Sequence, residues 1–356
     1  MRKKESGKII FLLAGMVVFM GIFWLAVRGL EKVIPDQAAE SQKAFLQEPT
    51  TAPQVRGTLK LDGKKYDYTD EISTYLLLGI DMSGQPQEGT QEYQGGMADF
   101  LLLAVFNRTK ETYGFLQLDR DTMTDITMMQ ADGSGYASAR MQLCTAHWYG
   151  GSPDQSCENT VAAVSDLLGG VEIDGYYALG MEAIPMLNHA VGGVKVTIES
   201  DFSKVDPSMK LGETIVLSDE QAYTFLHDRY DVEDETNVSR MQRQRQYMKS
   251  LFQTVQARSE TDPDYINTIY RQLEEVAVSD MTGKTISKIV NRVAKGENQG
   301  IQVLTGKSQT GQALGDGIDH MEFYPEKDSI REVMTALYSL VERSRQKGNT
   351  DETADR

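Results

Sequence analysis

Basic residues are outnumbered by acids in this chain, 36 to 52, so the places where arginines gather carry information. Arg120 follows an apolar run, and Arg229, Arg240, Arg243 and Arg245 crowd between positions 229 and 245. At i, i+3 spacing Arg240 and Arg243 share one helix face, and several forked donors converging on one spot can grip the oxygens of a doubly charged diphosphate. Their neighbours Asp231, Glu233, Asp234 and Glu235 keep open a plainer reading, a solvated ion-paired face. Asp81 closes one apolar run and Asp99 opens the next, so strand pairing can bring both carboxylates to one loop edge. Two hard oxygens there suit Mg2+ with phosphate and water completing its shell, although turn-forming aspartates fit the same spacing. Asp119, Arg120 and Asp121 stand where a third run ends, either a reactive constellation or an ion-paired strand edge. His147, His189 and His227 are too scattered for a zinc site, and H-E-x-x-H, C-x-x-C, G-x-S-x-G and Walker A patterns are absent from the sequence.

The elements that must position these side chains are legible from the apolar pattern. Runs at 74–80, 99–107 and 112–119 are apolar on both faces, as central strands are, and a polar glycine-rich loop separates the first two. Such loops at strand ends are where α/β proteins place chemistry. Asp62-Gly63 between two short alternating runs predicts a hairpin. Apolar stretches at 158–170 and 178–190 predict buried helices, the second kinked or starting late at Pro185. A strand is expected at 194–198. Ser218 followed by Gln221 is a capping box opening a helix, and Gln244, Met248, Leu251, Phe252 and Val255 mark an amphipathic helix over 240–257. Helices at 263–275, 283–295 and 326–344 and strands at 300–305 and 320–324 complete an α/β pattern without internal repeats.

Charge and hydropathy place the chain. The 36 basic and 52 acidic residues leave a formal −16, and removing residues 1–28 leaves −20 on the rest, which argues against binding nucleic acid. Nineteen uncharged residues at 9–27 would span roughly 28 Å as a helix, enough to cross a bilayer. Arg2, Lys3, Lys4 and Lys8 hold positions 1–8 in the cytoplasm, so the chain after the helix faces outward as a single-pass cell-membrane protein. A stalk at 28–56, an extracellular domain at 57–345 and a disordered tail at 346–356 follow. Outside the cell Cys144 and Cys157 can pair or stay free.

The ordered blocks YLLLGID (75–81), ADFLLLAVFN (98–107), YGFLQLDRDT (113–122), YGG (149–151), LLGGVEIDGYYAL (167–179), LNHAVGGVKVTI (187–198) and RMQRQ (240–244) are together specific. On them the chain resembles the LytR-CpsA-Psr family of cell-envelope phosphotransferases. The resemblance implies an α/β/α sandwich with a central mixed β-sheet, preceded by one transmembrane helix. It implies Mg2+-dependent transfer of a glycopolymer, such as a teichoic acid or capsule, from a polyprenyl-pyrophosphate carrier to peptidoglycan. The lipid would lie in an apolar tunnel walled by 158–170 and 178–190.

By position, the resemblance makes Asp81 and Asp99 the metal-side carboxylates and Asp99, Arg120 and Asp121 the catalytic group, with Asp99 or Asp121 as base. Arg120, Arg229, Arg240, Arg243, Gln244 and His227 would hold the pyrophosphate. The chain departs from the family pattern at Met97-Ala98-Asp99-Phe100, where Arg-Ser-Asp-Thr is usual. Asp119 stands for a proline, Gln142 for a lysine, His227 for an arginine and Asn237 for an aspartate. The exchanges at Met97 and His227 leave one alternative, a catalytically impaired scaffold that binds polyprenyl phosphate, and the family resemblance carries another, an envelope-related transcription attenuator.

Overall fold

The computed structural model describes residues 57–81, 95–130, 134–259, 262, 265, 269, 273, 276–282, 285, 288, 289, 292, 293 and 295–343. The expected cytoplasmic start, membrane span, stalk and C-terminal tail, and the loop at 82–94, lie outside the described residues. Among those described, no helix is long and apolar enough to cross a membrane.

Three long strands form the centre: β3 (Ile72–Asp81), β4 (Met97–Asn107) and β5 (Thr112–Leu118), paired as an antiparallel meander. They are preceded by the hairpin β1 (Leu59–Leu61) and β2 (Lys64–Tyr68), whose turn residues Asp62 and Gly63 both take positive φ. Strand β8 (Tyr176–Gly180) adds parallel to β3, β11 (Ala277–Ser279) antiparallel to β8, and β12 (Glu297–Val303) parallel to β5. The result is a six-stranded mixed sheet. Its central strands read as unbroken apolar runs because alternate residues feed different cores. Leu77, Leu102 and Phe106 pack with Phe225, Tyr247 and Leu251 on one face, while Leu76, Leu101 and Leu103 pack with Val164, Leu168 and Tyr338 on the other. Helices thus cover both faces of a mixed sheet, as expected.

The first face carries α3 (Ala183–Ala190), α4 (Asp219–His227) and α5 (Asn237–Ser259); the second carries α2 (Pro153–Leu167) and α6 (Lys327–Tyr338). A single turn, α1 (Thr145–Trp148), precedes α2. Ser218 and Gln221 make the expected reciprocal cap of α4. The helix predicted over 158–170 starts earlier, because Ser152 caps it and Pro153 occupies its first turn. The stretch predicted as one helix over 178–190 is divided: Tyr176–Gly180 is a strand, and the helix begins at Ala183 with Pro185 in its first turn, where no intrahelical donor is needed. The helix expected to 344 ends at Tyr338 and gives way to β15 (Leu340–Glu342). The strand predicted at 194–198 is β9 (Lys195–Thr197), paired with β10 (Thr214–Val216). Two hairpins went unpredicted in part or whole: β6 (Met123–Met129) with β7 (Gly135–Gln142), and β13 (Gly306–Gly311) with β14 (His320–Pro325).

The C-terminal ends of β3, β5 and β8 and the start of β4 meet at one edge of the layer stack. There the β3–β4 ladder slips: Gly79 faces Phe100 and Ile80 faces Ala98, leaving Asp99 as the extra residue of a β-bulge. A Cβ on Gly79 would stand 2.9 Å from the Phe100 Cβ, so the close approach depends on glycine. Gly79→Ala is therefore expected to destabilise the fold by about 1–3 kcal/mol through overpacking. Urea unfolding checks this; an unchanged midpoint refutes the role given to Gly79.

Candidate active site

The bulge matters because it delivers Asp99 into the protein rather than to the loop edge. Its side chain is 2% exposed, with Oδ1 2.6 Å from Arg120 Nη1 and Oδ2 2.7 Å from Arg240 Nη1. An ionised carboxylate is tolerated at such burial only when countercharges and hydrogen bonds replace its water. Arg120 comes from the end of β5 and Arg240 from the first turn of α5, so one carboxylate ties both halves of the domain together. Arg120 Nη2 also reaches Met97 Sδ at 3.0 Å and Cys144 Sγ at 3.1 Å. Burial pushes the Cys144 thiol up to about 11, against the pull of Arg120, so it stays protonated at neutral pH. Cys144 and Cys157 are free and buried, with Cys157 Sγ 3.8 Å from His147 Nε2.

Helix α5 also fastens the end of α4. The final carbonyls of a helix have no partners within it. Arg243 donates from Nε to the Phe225 carbonyl at 2.9 Å and from Nη2 to that of Asp228. Gln244 donates to the Leu226 carbonyl at 3.3 Å, and Arg240 Nη1 to that of His227 at 3.3 Å. Burial pulls the Arg243 guanidinium down to about 10, still charged at neutral pH, with Arg240 acting in the same direction. Thus Arg243 and Gln244, expected as phosphate ligands, do not line the polar cavity: their donors are engaged by backbone at the α4 terminus. They position the segment that carries His227, Asp228 and Arg229.

His227 is held from both sides, Nδ1 3.0 Å from Asp228 Oδ1 and Nε2 3.1 Å from Asp81 Oδ2, with its ring stacked on Tyr223. The hydrogen bonds to Asp228 and Asp81 lift its pKa to about 9 against the opposing effect of burial. Arg229 Nη1 lies 3.1 Å from Asp121 Oδ2, and its other arm reaches the Tyr230 hydroxyl at 3.0 Å. Two departures from the family pattern meet in space. The Asn237 amide donates to Asp119 Oδ1 at 2.7 Å while its carbonyl oxygen accepts from Arg240 Nε at 2.9 Å. An aspartate at 237 would set two carboxylates against each other, so the amide at 237 suits the acid at 119. Burial and the nearby Asp121 push Asp119 up to about 6.

These groups line a cavity of about 370 Å3 that includes Asp81, Asp99, Arg120, Asp121, His227, Arg229 and Arg240 among the predicted residues. Sequence reasoning missed Asp228, Cys144, Tyr230, His320 and Met321 in its wall. Asp228 had a signal, its place directly after His227; the hairpin residues His320 and Met321 had none. A smaller apolar cavity of about 80 Å3 is lined by Phe100, Met181, Ile184, Leu187, Leu226 and Met248 among others. β3, β4, α4 and α5 each contribute to both cavities. Segment 178–190 walls the apolar slot as expected, but 158–170 does not, because α2 packs on the opposite face of the sheet. The ligand atoms of Asp81, Asp99 and His227 lie within 4.8 Å of one another, a donor set that fits one divalent cation.

Fold and site together define a domain with an arginine-lined polar cavity and an apolar slot at the end of a mixed sheet. The chain belongs to the LytR_cpsA_psr family, whose model matches residues 34–339. It is 28% identical over 204 residues to biofilm regulatory protein A of Streptococcus mutans, covering 55% of this chain and 47% of that protein. The match therefore spans about half of that relative's length. It is 26% identical over 252 residues to the polyisoprenyl-teichoic acid–peptidoglycan teichoic acid transferase TagU of Enterococcus faecalis, covering 70% of this chain and 73% of TagU. Among solved structures, TagT bound to LI-WTA aligns with a TM-score of 0.52 at 21% identity, covering 76% of this chain and 90% of that one. That likeness speaks for the fold.

Removing the Asp99 charge leaves two buried guanidinium groups without their shared anion. Asp99→Asn is expected to lower unfolding free energy by about 3–5 kcal/mol in urea, and a loss under 1 kcal/mol contradicts the anchoring role. For His227 the folded pKa is raised above the ordinary 6.5 to about 9. Its stabilisation is therefore complete below about pH 6.5 and disappears as pH rises through 9. With chelator present, the melting-temperature gap between wild type and His227→Gln is expected to close over that window; a gap independent of pH contradicts it.

Proposed function

We propose that this chain is a membrane-anchored phosphotransferase that moves a glycopolymer from a polyprenyl-pyrophosphate carrier to peptidoglycan. The observation that carries the reading is the juxtaposition of Arg120, Arg229, Arg240 and His227 in one cavity whose lining residues adjoin those of an apolar slot, Asp99 next to Phe100 and His227 next to Leu226. The name of the Enterococcus faecalis relative, a teichoic acid transferase, supports it. So does the run at 9–27, which would tether the domain beside its lipid-linked donor.

In this reading the prenyl chain enters past Phe100 and Leu187, and the diphosphate sits among the guanidinium groups. Each cation is already matched by an acid: Arg120 and Arg240 by Asp99, Arg229 by Asp121, His227 by Asp81 and Asp228. The seat is preorganised, so the side chains need little reorientation as charge develops in the transition state. A dication held by Asp81 and Asp99, Mg2+ by the family resemblance, would neutralise charge on the phosphate oxygens. The acceptor sugar hydroxyl attacks the phosphorus that bears the glycopolymer. The bond from that phosphorus to the bridging oxygen breaks, and polyprenyl phosphate leaves. Asp121 is the carboxylate placed to take the hydroxyl proton, because its pairs to Arg120 and Arg229, at 3.5 and 3.1 Å, are looser than the 2.6 and 2.7 Å contacts that hold Asp99.

One observation favours the scaffold alternative. Met97, which stands where the family carries arginine, spends its sulfur on Arg120 Nη2 and adds no charge. The test incubates the purified full chain with a polyprenyl-pyrophosphoryl saccharide, Mg2+ and peptidoglycan fragments. Transfer of the glycan with release of polyprenyl phosphate is expected. Arg229→Gln is expected to lower kcat/KM by roughly 10- to 150-fold, the worth of one charge-assisted contact of about 1.5–3 kcal/mol. Donor binding without turnover would leave the scaffold reading, and salt-sensitive duplex DNA binding would favour the attenuator.

A further inference from the structure

We propose that Asp81, Asp99 and His227 form a mixed nitrogen and oxygen cation site that prefers a first-row transition dication such as Mn2+ over Mg2+, with the His227 imidazole as the source of the preference. The inference deepens the function proposed above and concerns the same site.

Three observations carry it. Ligand atoms from these three residues fall within 4.8 Å of one another, so a single ion can reach all of them. His227 has the second contact typical of a metal-bound histidine: Nδ1 is 3.0 Å from the Asp228 carboxylate, which fixes the ring and leaves Nε2 turned toward Asp81, 3.1 Å from its Oδ2. Stacking on Tyr223, with ring centroids 4.9 Å apart, holds the imidazole plane in that pose. An all-oxygen set suits Mg2+, which is hard and keeps its water, whereas an imidazole nitrogen is accepted more readily by a transition dication, Mn2+ included, than by Mg2+. An arginine at 227 would supply only donors and could not ligate. A bound ion would take the place of the hydrogen that Nε2 now shares with Asp81, while Asp99 keeps Arg120 and Arg240 as outer partners.

The test titrates metal-free full chain with MnCl2 and with MgCl2 by calorimetry and records pulsed electron paramagnetic resonance of the Mn2+ complex. Mn2+ is expected to bind at least about tenfold more tightly than Mg2+, with nitrogen modulation in the wild-type spectrum. His227→Gln is expected to remove the modulation and most of the preference, and Asp228→Asn to weaken Mn2+ by about 10- to 100-fold while the modulation persists. Equal or tighter Mg2+ binding, or Mn2+ bound without nitrogen coupling, overturns the inference. The wild-type spectrum decides the matter even where a variant fails to fold. Nitrogen-coupled Mn2+ in a chain that transfers nothing would keep this inference and refute the transfer; transfer with Mg2+ and no nitrogen coupling would do the reverse.

Discussion

The structure depends on one buried carboxylate shared by two guanidinium groups. Asp99 sits at a bulge in the second central strand and holds Arg120 from the neighbouring strand and Arg240 from the long helix. Neither arginine could be kept so deep without that anion, and the anion could not be buried without them. The constraint orients both forks toward the same space. It also draws the start of α5 onto the sheet edge, from where Arg243 and Gln244 hold the last turn of α4 and with it His227 and Arg229.

Much of the frame was legible in the sequence. The three central strands could be read because burial on both faces leaves unbroken apolar runs, and Ser218 with Gln221 announced a helix start because the reciprocal cap has a fixed spacing. The stretch 178–190 was misread for a physical reason: a short apolar strand and a buried helical turn have the same composition, and pairing with β3 decides between them. The same limit applies to the site. Asp81, Asp99, Arg120, Asp121, His227, Arg229 and Arg240 do converge on one cavity. That Arg243 and Gln244 would bind backbone was not legible, since their partners are carbonyls that every residue carries. The fit between Asp119 and Asn237 likewise appears only once the chain is folded.

The polar cavity and the apolar slot share four elements, β3, β4, α4 and α5, which is why head-group and lipid recognition belong to one reading. Residues one or two apart in sequence point into different environments: Gly79 and Phe100 border the slot, Asp81 and Asp99 the cavity, and Leu226 and His227 divide between them. Positive charge is missing at Met97 and Gln142, while at 227 the histidine keeps it, because its two carboxylate neighbours hold it protonated at neutral pH when no metal is bound. The departures thus describe a seat whose cations are matched to its acids.

The account is tested most directly by a crystal structure of the full chain with geranylgeranyl diphosphate. It predicts the diphosphate between Arg120, Arg229 and Arg240, the Asp99 pairs to Arg120 and Arg240 intact, and the prenyl chain running inward between Phe100 and Leu187. A diphosphate seated elsewhere, or a prenyl chain lying outside the slot, would contradict it.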